Sequence, residues 1–145
     1  MIEVCGFRQE FLNDIADIEK DSFQNPWSKS MLSDSVSNSN VSFDIILFDG
    51  KVIGYCISLY CGIELEILSI AVTKEQRRKG NAAVLFKFVL SDAVKKGVKS
   101  AFLEVGKSNM TAQNFYKSFE FELSSIRKKY YANGEDALVL RKQLK

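Results

Sequence analysis

Histidine is absent from the 145-residue chain. That excludes Ser-His and Cys-His catalysis and any His-based metal site. Acid–base chemistry is left to carboxylates, tyrosines, lysines or water. The three cysteines, Cys5, Cys56 and Cys61, lack CxxC spacing and sit in or beside apolar segments, so they are expected to be buried reduced thiols. No apolar stretch reaches the ~20 residues that cross a bilayer. The opening MIEVCGFRQEF lacks the basic region and apolar segment of a signal peptide. The expected compartment is the cytoplasm, with no membrane partner. Charge of one sign is also scarce: the net +2 is too small to argue for nucleic acid, and the basic runs Arg77–Lys79 and Arg127–Lys129 are ordinary for a solvated face. Neither GxxxxGK[ST] nor GxGxxG occurs, no internal repeat or low-complexity segment is found, and no metal is implied.

What is present suits a soluble globular protein, with 46% hydrophobic and 26% charged residues and a length that fits one domain over residues 1–145. Ile2 to Phe7 is a short first strand. Gln9 to Phe23 has helical apolar spacing at Phe11, Leu12, Ile15, Ile18 and Phe23. Asn25-Pro26-Trp27 breaks it, and Ser28 is a good cap for a second helix over Lys29 to Val36, with Met31, Leu32 and Val36 on one side. Phe43 to Phe48 and Val52 to Tyr60 flank Asp49-Gly50 as a hairpin, and Ile63 to Val72 is a further strand. A helix over Gly80 to Lys96 would bury Ala82, Leu85, Phe86, Val89, Leu90 and Ala93. Ala101 to Val105 is a buried strand, Asn109 to Phe119 a helix, and Phe121–Tyr131 with Asp136–Lys142 a closing hairpin around Asn133-Gly134.

The chain is organised around Leu65 to Val89, a strand, a basic loop with a glycine, and a helix. The first turn of a helix has N–H groups without intrahelical partners and a partial positive charge, so such a loop is a candidate phosphate site. Gly80 lets the backbone approach a ligand closely, and Ala82 and Ala83 keep the next turn small. A solvated basic turn would look the same.

Arg77-Arg78-Lys79-Gly80-Asn81-Ala82 fits R/Q-x-x-G-x-G/A, the pyrophosphate loop of the GNAT superfamily of N-acetyltransferases. The element order resembles that fold too. Asn25-Pro26-Trp27-Ser28, Leu68 to Val72, Leu103-Glu104-Val105 with Ser108-Asn109, Phe115-Tyr116, and Ile126 to Tyr131 with Glu135-Asp136-Ala137 occur in one order. Together they resemble the bacterial RimI type, which acetylates the N-terminal alanine of a ribosomal protein. The resemblance implies an α/β (α+β) domain whose mixed central sheet splays around strands 4 and 5, with helices on both faces and acetyl-CoA as co-substrate in the cleft. It places Ile70, Ala71 and Val72 along the acetyl and pantetheine part, and Arg78, Lys79, Gly80, Asn81, Ala82 and Ala83 at the pyrophosphate. Two positions depart from the family's habit: Ala82 stands where glycine is usual, and Glu120-Phe121 where Gly-Phe is.

The reaction so implied is acetyl transfer to a protein N-terminus, with no enzyme nucleophile. The resemblance makes Glu104 the general base, Tyr116 the general acid and Asn109 a CoA contact. Read as residues alone, these are a strand-end glutamate, a core tyrosine and a helix cap. Trp27, Tyr130 and Tyr131 are expected to line the acceptor side; as neighbours on a strand, the two tyrosines would face opposite ways. Acetylation of a small amine or a lysine side chain, and a non-catalytic acyl-CoA-binding role, are the competing readings.

Overall fold

The computed structural model describes residues 1–144. Its elements run β1 (Ile2–Gly6), α1 (Leu12–Ser22), α2 (Lys29–Val36), β2 (Val41–Phe48), β3 (Lys51–Cys61), β4 (Glu64–Val72), α3 (Asn81–Lys95), β5 (Ser100–Gly106), α4 (Met110–Ser118), β6 (Glu122–Arg127) and β7 (Ala137–Gln143). This is the order read from the sequence, with one tightening. Gln9–Phe11 is a 3₁₀ turn ahead of α1, where the extended Arg8 supplies no side-chain cap. Ser28 caps α2, its Oγ accepting from the Met31 N–H at 3.1 Å. Asp49 and Gly50 both have positive φ, 48° and 81°, the primed turn that joins twisted strands.

The strands form one sheet in the order β1-β2-β3-β4-β5-β7-β6, antiparallel throughout except for β4 beside β5. Alternation along each strand sends side chains to two faces. On one face Ile45, Leu47, Tyr55 and Ile57 pack with Ile15, Ile18 and Leu32 of α1 and α2. On the other, Ile46, Cys56, Leu65, Ile67 and Leu103 pack with Leu85, Phe86 and Val89 of α3 and Tyr116 of α4. Phe86 lies at the centre of this second core, edge-on to Phe119 at 4.9 Å.

The sheet is continuous between β4 and β5 only from Glu64–Ile67 to Ser100–Leu103. Directly beyond this seam the register of β4 on β3 shifts by one residue at Leu68, a bulge that bends the strand. β4 then stays with β3 as far as Val72 opposite Gly54, while β5 stays with β7 as far as Gly106 opposite Ala137. The two half-sheets diverge, leaving a wedge lined by backbone. Gly54 is required here, because a Cβ would stand 2.7 Å from the Ala71 carbonyl oxygen.

Several expectations are corrected. Of Met31, Leu32 and Val36 only Leu32 is buried; Met31 is 51% exposed, one position and so about 100° around the helix from it. Ala82 is half-buried, since the first turn of α3 faces the wedge rather than the core. Cys56 is buried, but Cys5 is half-buried and Cys61 exposed at its strand end; all three are free thiols. The closing strands stop at Arg127 and resume at Ala137. Lys129 turns to φ 51°, and Asp136 accepts from its N–H at 3.0 Å, so residues 128–136 form a loop and neither tyrosine lies on a strand.

Candidate active site

The wedge gathers the chemistry. Glu104 is the first residue of β5 past the seam, on the face opposite the Leu103 side chain. Its side chain is 16% exposed, and its Oε2 is buried with no hydrogen-bond partner. An ionised carboxylate oxygen left without a donor is costly unless something else arrives to use it. Arg127 Nε approaches to 3.9 Å from β6. Glu66, two residues before the bulge on β4, is held above the usual carboxylate range by its burial, with Glu104 adding to the shift and Arg127 opposing it.

The loop 128–136 closes over this end. Tyr130 and Tyr131 stand edge to face, ring centroids 5.2 Å apart, an arrangement open to them because they leave the strand. The Tyr130 phenol is raised above the ordinary value by its hydrogen bond to the Glu104 carboxylate and by that carboxylate's charge, and burial raises Tyr131. The loop is pinned from below: Glu135 Oε1 accepts from the Ser108 N–H, and the Lys107 N–H donates to the Asp136 carbonyl at 3.1 Å. Arg127 and Glu66 were not singled out by the sequence reading. Arg127 was hidden in a basic run, and Glu66 needs the strand register to be seen beside Glu104.

At the wide end stands the basic loop. Arg78 and Gly80 take left-handed conformations, φ 63° and 79°, and Gly80 is the N-cap of α3. The first intrahelical bond runs from the Val84 N–H to the Gly80 carbonyl at 3.1 Å, so the N–H groups of Asn81, Ala82 and Ala83 have no partner within the helix. Those free donors, with the helix dipole behind them, fit a pyrophosphate. Asn81 is buried, its Nδ2 donating to Gln76 at 2.9 Å, so its side chain shapes the loop while its main chain faces outward. Arg77 also holds the loop. Its Nε donates to the Val72 carbonyl at 3.1 Å and its Nη2 to Ser22 Oγ at 3.2 Å.

Of the other expected site residues, Ile70 is half-buried while Ala71 and Val72 are buried on β4 past the bulge. Tyr116 is 8% exposed among Phe86, Phe115 and Phe121, and burial, with the Cys56 sulfur nearby, pushes its phenol well above the ordinary value. Asn109 is the cap of α4, its Oδ1 accepting from the Ala112 N–H at 3.1 Å. Trp27 packs against the α1–α2 core rather than with the tyrosines. Among the described residues no cluster of three or more Cys, Asp or Glu is placed to hold a metal ion, and no helix is long and apolar enough to cross a membrane.

Comparison with known proteins agrees with this fold. Residues 12–121 match the Acetyltransferase (GNAT) family. A Bacillus subtilis protein, provisionally named a ribosomal protein bS18-alanine N-acetyltransferase, is 34% identical over 94% of this chain and 92% of its own. The Escherichia coli ribosomal protein bS18-alanine N-acetyltransferase is 28% identical over 85% of this chain and 84% of its own. The crystal structure of the corresponding E. coli enzyme superposes with a TM-score of 0.91, covering 99% of this chain and 94% of that one at 25% identity. The chain therefore belongs to the GNAT family and is an acetyl-CoA-dependent N-acetyltransferase.

Proposed function

We propose that this enzyme acetylates the N-terminal α-amino group of a protein, an alanine-starting ribosomal protein, as the names of its relatives suggest. The observation that carries the reading is the buried Oε2 of Glu104, which has no hydrogen-bond donor and only a 3.9 Å ion-pair contact with Arg127, at the point where the half-sheets part. An α-amine has a pKa of roughly 7.7–8.0 and is mostly protonated at neutral pH, so it needs a base before it can attack. Glu104 takes that proton, directly or through one water. The thioester supplies an activated acetyl carbon: the amine nitrogen forms the new C–N bond and the C–S bond breaks.

Tyr116 meets the departing sulfur. Its phenol, harder to ionise than usual, is protonated at neutral pH. Because a thiol with pKa about 8.5 is the stronger acid, Tyr116 serves by donating a hydrogen bond to the thiolate rather than by giving up its proton for good. The free N–H groups at the start of α3 anchor the pyrophosphate, and the backbone of Ile70 to Val72 pairs with the pantetheine arm. Tyr130 and Tyr131 on one side and Trp27 on the other wall the acceptor groove, and Asn109 contributes at most its Nδ2 to the CoA. One catalytic domain acting in the cytoplasm, without nucleic acid or membrane, completes the reading.

The test is intact-mass spectrometry of a peptide with a free N-terminal alanine incubated with acetyl-CoA and the enzyme, beside a matched N-blocked peptide carrying an internal lysine. One acetyl on the free-amine peptide alone is the expected result. Acetylation of the lysine peptide alone overturns the substrate class, and transfer to neither turns the reading toward a small amine.

A further inference from the structure

Glu19 is the most deeply buried charged residue outside the wedge, 3% exposed on α1, and nothing in the acetyl transfer above uses it. A carboxylate in such a place needs donors, and two reach it. The Trp27 N–H donates to Oε2 at 3.0 Å, and the Tyr55 hydroxyl donates to Oε1. Tyr55 is wholly buried on β3, opposite Ala71 of β4, and its phenol oxygen also feels the Ser69 hydroxyl. One carboxylate thus joins the turn between α1 and α2 to the strand pair that forms one wall of the wedge.

Local sequence explains why the tie is needed. Between the end of α1 at Ser22 and the cap at Ser28, no residue belongs to a helix or strand. Pro26 has no N–H, so the Trp27 amide is the first donor after it. Burial of the Trp27 ring against the α1–α2 core fixes its depth; the Glu19 bond fixes its main chain. A hydrophobic residue at position 19 would fill the same space without accepting from the Trp27 N–H, so the carboxyl group answers to position rather than to packing.

We infer that Glu19 is a positioning residue for the acceptor groove: its Oε2, accepting from the Trp27 N–H, holds the main chain of the Pro26–Trp27 turn against α1. This rests on the assignment of Trp27 to the acceptor side. The residue touches neither substrate, so its loss weakens acceptor binding and spares acetyl-CoA binding.

The chain's single tryptophan is itself the probe. Tyr55→Phe serves as the background, because removing the phenol together with the carboxylate leaves no orphaned buried hydroxyl. In Tyr55→Phe the Trp27 tether persists; in the double variant with Glu19→Met it is gone at nearly equal side-chain length. The double variant is expected to raise the acceptor KM roughly tenfold over Tyr55→Phe, the scale of one lost hydrogen bond to a charged group. The acetyl-CoA KM should stay within about twofold, and Trp27 emission should shift to the red with easier acrylamide quenching. Glu19→Gln alone, which keeps a carbonyl for the Trp27 N–H, should retain an acceptor KM near wild type. Equal emission and quenching in the double variant and in Tyr55→Phe would overturn the inference, as would parallel rises in both KM values. The fluorescence arm needs no acceptor, and the kinetic arm uses whichever peptide the wild-type enzyme acetylates. A wrong substrate class is therefore seen separately from a wrong role for Glu19.

Discussion

At the scale of single residues, the candidate site divides into groups proposed to react and groups that are only well placed. Glu104→Gln removes the proposed base without changing shape. It should lower kcat by about 10²–10⁴, the range of general-base catalysis, while acetyl-CoA binding by calorimetry is unchanged. Unchanged turnover would return Glu104 to the role of a strand-end carboxylate. Tyr116→Phe removes the proposed donor to the leaving sulfur and should cost on the order of 10² in kcat; a variant as active as wild type would leave Tyr116 as core packing. Glu120 makes a prediction about stability alone. It follows α4 at φ 68°, where the usual glycine would be unstrained, and its N–H closes the turn on the Lys117 carbonyl at 2.8 Å. Glu120→Gly should stabilise the fold by about 1 kcal/mol, read as a raised urea midpoint with normal activity. Glu104 and Tyr116 were singled out as candidates because they fall inside family-like motifs. Glu19 and Glu66 were not, since burial and cross-strand register exist only once the chain is folded.

At the scale of elements, periodicity and capping were nearly sufficient. Ser28, Asp49-Gly50 and the apolar spacing of α3 placed α2, the β2–β3 hairpin and the central helix within a residue or two of where they lie. The closing hairpin forms as expected, but its first strand ends at Arg127 rather than Tyr131, because nothing in the run Lys128-Lys129-Tyr130-Tyr131 announces that Asp136 will reach back to the Lys129 N–H. The basic loop was legible as a pattern, but not the division of labour within it. Arg77, its first residue, points away from the helix end and ties the tip of β4 to the last residue of α1. Arg77→Ala should therefore loosen the loop and weaken acetyl-CoA binding several-fold. Lys79→Ala, an exposed side chain with no partner among the described residues, should change it less and in a salt-dependent way. Titrations of the two variants at low and high salt would separate anchoring by geometry from attraction by charge; equal, salt-dependent losses would assign Arg77 to direct charge contact.

At the scale of the whole molecule, the buried acids without charge set the response to pH. Burial holds the Cys56 thiol and the Tyr55 and Tyr116 phenols above their ordinary values. In the unfolded chain these groups release protons at about 8.5 and about 10, while in the folded chain they still hold them. The unfolded state then binds fewer protons, so stability present at neutral pH is lost as pH rises through that range. Thermal melts from pH 7 to 10.5 should show a falling Tm, with the earliest part of the fall blunted in Cys56→Ala; a flat profile would contradict the burial of these groups. The resemblance implied only a mixed sheet parting at strands 4 and 5; the full sheet order was not legible, because pattern alone does not say that β7 inserts between β5 and β6.

The short seam between β4 and β5 carries one more consequence. A strand with free backbone donors and acceptors is an invitation to aggregate, and most sheets meet it at their rims with charge, proline or a covering helix. Here such a strand lies in the middle of the sheet, where the diverging wall of β5 faces it. Flanked by β3 on one side and by the diverging β5 on the other, the strand is not an open rim. The proposed pairing of the pantetheine arm with Ile70 to Val72 would use these free groups as a template while the position of the strand inside the sheet guards them against self-association.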